Sequence, residues 1–234
     1  MISGRKIFAI MAKDVKGLAN NVFVLSGLLM VPIMAFVFNM ISDEETIMIF
    51  ANMVIMMNIL MNGANIICCM IAEEKEKHTL GVLKSSTVSG LDFLLSKLLL
   101  AVGLAAVVNV LVYFMFGLQD VMAFGPFLLL TSAALLPMAM IGAIIGIATK
   151  TQAAASSLVA PLVMVPMFAP MLIPQDSAVW DVIRFFFTEA LQNGLRAIYG
   201  NYPFMSYVGI IGINFAVFLV VFLLFYRRRG LSGK

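Results

Sequence analysis

The residues best equipped for chemistry in this 234-residue chain are gathered between Glu73 and Lys97, reading EEKEKHTLGVLKSSTVSGLDFLLSK. Only 12 % of the chain is charged, so the acids and bases packed into this stretch mark a polar island in an apolar sequence. Glu73 and Lys77 stand one helical turn apart with the acid first, and Leu80 and Leu83 share a face, which predicts a short amphipathic helix. Ser89-Gly90-Leu91-Asp92 has capping-box spacing, so a second helix should begin near Gly90. Carboxylates interleaved with lysines suit recognition of another polypeptide through charge-assisted contacts.

A second polar group lies in the apolar run before the island. At 100° per residue Asn58, Asn62 and Asn65 fall within about 60° of one another, a polar stripe on one helix. Two readings stay open: a surface that meets a transported molecule, and hydrogen bonds that hold helices together, worth about 0.6 kcal/mol each in membranes. Met164, Met167 and Met171 share a face of a later apolar run, in a chain with 19 methionines. Flexible thioethers suit a surface accepting several apolar ligands, and they also suit ordinary packing.

Other chemistries are opposed by what the sequence lacks. The carboxylates fall outside the apolar runs and the single histidine, His78, lies in the island, whereas ion-driven carriers generally keep such groups within the membrane. A serine hydrolase would need a histidine or lysine beside its nucleophile, and the runs hold neither. There is no G-x-x-x-x-G-K-[ST] loop, so no nucleotide is expected to bind directly. Cys68 and Cys69 are the only cysteines. Adjacent on a helix, they read as small buried residues rather than a disulfide or metal site.

The elements that must position these residues follow from composition. A hydrophobic share of 62 % exceeds the roughly 45–50 % of soluble domains, which places the chain in a bilayer as an all-α membrane protein. Six spans are expected, over residues 18–40, 46–72, 98–118, 121–148, 153–173 and 207–226, forming one transmembrane domain from 1 to 234. Residues 2–17 set Ile7, Phe8, Ile10 and Met11 among Arg5, Lys6, Lys13 and Lys16, the pattern of a helix in the headgroup layer. The first span is expected to be retained, since its apolar run is too long for a signal peptide. Pro161, Pro166, Pro170 and Pro174 should break or kink the fifth span. Between Gln175 and Phe204 the recurrence of Trp180, Ile183, Phe187, Leu191, Leu195 and Ile198 predicts one or two amphipathic helices on the outer surface. Gly142 and Gly146 form a GxxxG that permits close helix contact, with internal packing the favoured use.

All fifteen lysines and arginines except Arg184 and Arg196 then fall on one side. By the positive-inside rule that side is cytoplasmic, with both termini and the island on it, in the cell membrane. The basic residues sit beside spans rather than among exposed aromatics, which argues against a nucleic-acid partner.

The acidic cluster, Lys77, Thr79-Leu80, Leu83, the Ser/Thr turn from Ser85 to Ser89 and Lys97 heading an apolar span together resemble the first cytoplasmic loop of ABC-2 type transporter permeases. His78, Gly81 and Thr87 stand where that pattern usually has glycine, a charged residue and proline. The resemblance in span layout covers nearly the whole chain. It implies the ABC-2 exporter fold, with a coupling helix that seats on an ABC ATPase and places Glu73, Glu74, Glu76, Lys77, Thr79, Leu80 and Leu83 at that contact. It further implies two ATPase copies carrying ATP and Mg, a second permease, identical or not, and a path along the second and fifth spans at the subunit interface. Cargo would be amphipathic or apolar: a drug, an antibiotic peptide or a lipid-like molecule. An ion-coupled carrier and a non-transporting scaffold or sensor are the rival readings. Reversing Glu73 and Glu76 is expected to disturb the local helix by only a few tenths of a kcal/mol per pair and to spare folding.

Overall fold

The computed structural model of the chain describes residues 4–18, 20–77, 90–118, 121–174 and 176–229, and every regular element among them is an α-helix. In chain order these are α1 (Gly4–Leu18), α2 (Val22–Ile41), α3 (Ile47–Glu76), α4 (Gly90–Met115), α5 (Val121–Ala148), α6 (Gln152–Leu172), α7 (Trp180–Ile183), α8 (Phe187–Tyr199) and α9 (Met205–Arg229). Among the described residues α2, α3, α4, α5 and α9 are long and apolar enough to cross a membrane. The fifth expected span coincides with α6, whose described apolar stretch, Gln152–Phe168, is shorter.

Local chemistry fixes the helix ends. The Asn21 side chain accepts from the Val24 amide at 3.3 Å and so caps α2, as short polar side chains do at helix starts. Before α3, Asp43 accepts from the Thr46 amide at 2.9 Å and from its hydroxyl at 2.6 Å; these bonds hold the Asp43 carboxyl below its ordinary range. After α4, Gly117 adopts φ +67 and the Leu118 amide reaches back to the Tyr113 carbonyl at 3.1 Å. That is the left-handed stop that glycine allows without strain.

The bundle is organised around α3, which packs against α2, α4, α5 and α6; 89 % of its most apolar stretch is buried, against 11 % for α9. Its 30 residues span about 45 Å, longer than a bilayer core of about 30 Å. It is one continuous helix through Glu76, with more length than an upright span needs. Glu73 to Glu76 are its last turn, not the start of a separate amphipathic helix. The reason is geometric: all four have partners on neighbouring helices, described below, and those contacts prolong the span. Residues 78–89 lie outside the described residues, and with them Thr79, Leu80, Leu83 and the serine of the capping box. The helix that follows starts at Gly90, as its spacing predicts.

Gly142 and Gly146 are used within the chain. A Cβ on Gly142 would strike the Ala64 carbonyl oxygen and come within 2.7 Å of Ala64 Cα, and one on Gly146 would lie 2.9 Å from the Cys68 carbonyl oxygen. The two glycines thus let the backbones of α3 and α5 meet directly. Two expectations need correction. Of the break or kink expected of the fifth span, the break does not occur: α6 runs uninterrupted to Leu172 and stops two residues before Pro174, because in apolar surroundings breaking a helix frees more backbone groups than each proline removes. The outer amphipathic segment forms two helices, but α8 is not a surface helix. Phe187, Leu191 and Leu195 are fully buried, and α8 packs against α5, α9 and α3.

Candidate functional site

The last turn of α3 joins the ends of five other helices. Glu73 accepts from the Asn21 amide at 3.1 Å, and that same amide also donates to Gln152 Oε1 at 2.7 Å, tying the start of α2 to α3 and α6. Lys77 donates to the other oxygen of Glu73 at 2.5 Å, the i,i+4 pair that the sequence predicts. Glu74 accepts from Lys13 of α1 at 2.7 Å and from Lys97 of α4 at 3.3 Å. Lys75 reaches the carbonyls of Ile147, at 2.6 Å, and Thr149. These are orphan acceptors at the C-terminus of α5, where a cation is favoured. Glu76 accepts from the Gln152 backbone amide at 3.0 Å and so caps α6.

Four consecutive side chains therefore address α1, α2, α4, α5 and α6. At the centre is an ion cluster: Lys97, 1 % exposed, donates to Asp14 at 2.8 Å as well as to Glu74. Burial pushes the Asp14 carboxyl above its ordinary range, opposed by the adjacent Lys97 ammonium. These contacts correct the expectation that Glu73 and Glu76 can be reversed at the cost of local helix pairs alone. Reversal removes one of the two acceptors of the Asn21 amide and the cap of α6 and places ammonium groups beside existing lysines.

The asparagine stripe faces α2 and α4. Asn58 donates to the Ala105 carbonyl at 2.8 Å and to Asn109 Oδ1 at 2.7 Å; Asn62 donates to Asn58 Oδ1 at 2.7 Å and to the Gly27 carbonyl at 3.1 Å. Asn65 donates to the Phe23 carbonyl at 3.0 Å. A chain of amides thus runs from α4 through α3 to α2. Gly27 permits it, since a Cβ there would lie 2.7 Å from Asn62 Oδ1. The methionine face divides: Met164 is exposed, Met167 is half-buried against the core, and the side chain of Met171 lies outside the described ones.

Sequence reasoning missed Asp14, Asn21, Gly27, Asn109 and Gln152 as members of these networks. Asn21, directly before an apolar run, carried the signal of a helix cap, and Asn109, isolated in an apolar span, that of a partner for the stripe. Asp14 gave no sign of reaching Lys97, 83 positions away. On the opposite side of the bundle, burial pushes the Glu189 carboxyl of α8 above its ordinary range, with Arg196 pulling it partly back.

Residues 42–227 match the family model described as ABC-2 family transporter protein. No curated protein matches the chain.

Proposed function

Because the chain belongs to the ABC-2 family of transporter proteins, we propose that it is the permease of an ATP-driven exporter, working with a second permease and two copies of a cytoplasmic ABC ATPase. ATP and Mg would reside on that ATPase, as the sequence carries no phosphate-cradling loop of its own. The observation that carries the coupling half of this reading is the last turn of α3. Glu73, Glu74, Lys75 and Glu76 contact five other helices and immediately precede the stretch 78–89. A push delivered there by an ATPase would be felt at once by α1, α2, α4, α5 and α6. Thr79, Leu80 and Leu83 would meet the ATPase, while Glu73, Glu74, Glu76 and Lys77 pass its movement on.

The cargo is amphipathic or apolar in this reading, since the exposed face of α6 offers Met164, Leu162 and Val165. That face suits the path between subunits better than the enclosed Asn58, Asn62 and Asn65. Six spans with both termini and the stretch 78–89 in the cytoplasm are supported by the one-sided distribution of lysine and arginine. Cysteines at Glu44 and Ser177 should then react with an impermeant thiol reagent outside sealed cells, and one at Lys150 should not; labelling of Lys150→Cys would invert the layout.

The deciding experiment is co-expression with a candidate ATPase. Efflux should require ATP hydrolysis, and Leu80→Asp with Leu83→Asp should release the ATPase while the permease stays folded in the membrane. Efflux that persists without the ATPase and follows an ion gradient would make the protein a secondary carrier. An ATPase complex that moves no cargo would make it a scaffold.

A further inference from the structure

Between α1 and the lysine-rich ends of α3 and α4 lies a cleft of about 300 Å³, whose walls include Lys13, Asp14, Lys16, Met70, Glu74 and Lys97. Its charges are nearly all matched: Lys97 with Asp14 and Glu74, Lys13 with Glu74, and Lys77 with Glu73. Two groups are left over. Asp14 is 7 % exposed, and its Oδ2 is buried without a hydrogen-bond partner among the described residues. Lys16, exposed on the same wall, makes no ion pair among the described residues. An unmet carboxylate oxygen at such depth is costly and calls for a donor.

We propose that this cleft binds the headgroup of an aminophospholipid of the ethanolamine type, its ammonium donating to Asp14 Oδ2 inside and its phosphate held by Lys16 at the mouth. The occupant must carry a donor and an anion together, because the cleft is left with one acceptor and one cation, and an ammonium bonds a carboxylate more strongly than a neutral hydroxyl does. A choline headgroup has no N–H to give. A glycerol headgroup brings only neutral, weaker donors, and a serine headgroup would set a further carboxylate among Glu73, Glu74 and Asp14. Position supports a lipid over a soluble molecule. The cleft sits where spans emerge from the membrane, beside a helix patterned for the headgroup layer, with exposed Phe8, Val15, Val22 and Phe23 on α1 and α2 to receive acyl chains. Bound there, the headgroup would complete the cluster that joins α1 to α3 and α4. This inference depends on the chain lying in a membrane and not on what it transports.

The test is lipid titration of the purified full-length permease in detergent, read by native mass spectrometry. Dioleoyl phosphatidylethanolamine, its N,N-dimethyl derivative, phosphatidylcholine and phosphatidylglycerol are compared. The ethanolamine lipid should bind at least about ten-fold more tightly than the choline lipid, the scale of one hydrogen bond to a buried carboxylate, with the dimethyl derivative between. Lys16→Gln should weaken ethanolamine-lipid binding roughly five-fold, the scale of an exposed ion pair. Asp14→Asn should abolish the preference for ethanolamine over choline. Because that variant also removes a partner of Lys97, the headgroup series and Lys16→Gln, which leave the Asp14–Lys97 pair intact, decide the matter if it does not fold. Equal affinity for ethanolamine and choline lipids, or a preference for the glycerol lipid, would overturn the proposal. Free phosphoethanolamine at millimolar concentration should not displace the lipid; displacement would assign the cleft to a soluble zwitterion instead.

Discussion

Replacing Lys97 by methionine keeps the length of the side chain and its apolar stem, and removes the ammonium that Asp14 accepts at 2.8 Å and Glu74 at 3.3 Å. The position is 1 % exposed, so water does not take the place of the lost cation. The two acids fare differently. Glu74 keeps Lys13 at 2.7 Å, although that lysine is 59 % exposed and its pair is worth at most about 1 kcal/mol. Asp14 loses both the charge and the hydrogen bond that Lys97 supplied. Breaking a buried pair in this way costs about 3–5 kcal/mol. With Glu74 partly compensated, about 3 kcal/mol is expected for Lys97→Met near neutral pH, most of it at Asp14.

The loss should also depend on pH, with a defined sign. Burial already raises the Asp14 carboxyl above its ordinary 3.8, and removing Lys97 raises it further. Between 3.8 and the raised value the folded state binds more protons than the unfolded one, so stability falls as pH rises through that window. The penalty should be small near pH 4 and grow as pH rises toward 7. The triple variant Lys97→Met, Asp14→Asn, Glu74→Gln removes the whole cluster and should recover most of the loss, because a polar set without charge no longer leaves one stranded. Reversible unfolding of the purified protein in mixed micelles, followed by circular dichroism at both pH values, measures each of these. A penalty independent of pH, or single-variant losses that simply add in the triple variant, would refute the reasoning.

Gly142→Ala should destabilise by about 1–3 kcal/mol through overpacking against Ala64. Gly103→Ala, whose Cβ would meet nothing within 4 Å, should be neutral or stabilising by up to about 1 kcal/mol; equal effects in the same unfolding assay would discard the glycine-mediated α3–α5 contact. Glu189→Gln should raise the melting temperature at pH 7 and have no effect near pH 4. The buried Glu189 carboxyl lies above its ordinary 4.5, and its folded form is therefore penalised as pH rises past that value; a pH-independent difference would show the carboxyl to be solvated. Asn58→Leu removes two donated bonds and the acceptor of one of the two bonds that the Asn62 amide donates, so a loss of about 1–2 kcal/mol is expected. A variant of unchanged stability with an altered cargo range would instead put the asparagines on the transport path.

What was legible in the sequence was whatever a helix decides for itself. The apolar runs, the Glu73–Lys77 pair and the close-packing face at Gly142 and Gly146 depend on residues within a few turns of one another. The choice of distant partners was not legible. Any acid near the basic side could have met Lys97, and only the docking of α1 on α4 selects Asp14. The asparagine stripe was visible as a face, but a face does not say what covers it: Gly27 and Asn109, on two other helices, turn it inward. The break that the prolines suggested did not form for a related reason. The rule that they interrupt helices assumes water is ready to satisfy freed backbone groups, and along α6 it is not.

The outer helix α8 shows where a finer reading of periodicity carries further. Its large apolar residues Phe187, Leu191, Leu195 and Ile198 form one stripe, and that stripe alone suggests a helix lying on a surface. Ala190, Gly194 and Ala197 form a second stripe beside it, and together they cover an arc of about 160° at 100° per residue, wider than the roughly 100° of an ordinary surface helix. A headgroup layer places no demand for small residues on its neighbour, whereas a second helix approaching closely does. The structure uses the small stripe in that way, since a Cβ on Gly194 would lie 2.7 Å from Leu130 Cδ2 and 3.3 Å from Tyr207 Cβ. Size as well as polarity around the helix therefore separates insertion from surface attachment: Gly194 lets α8 sink between α5 and α9 and takes Glu189, in its first turn, out of water with it.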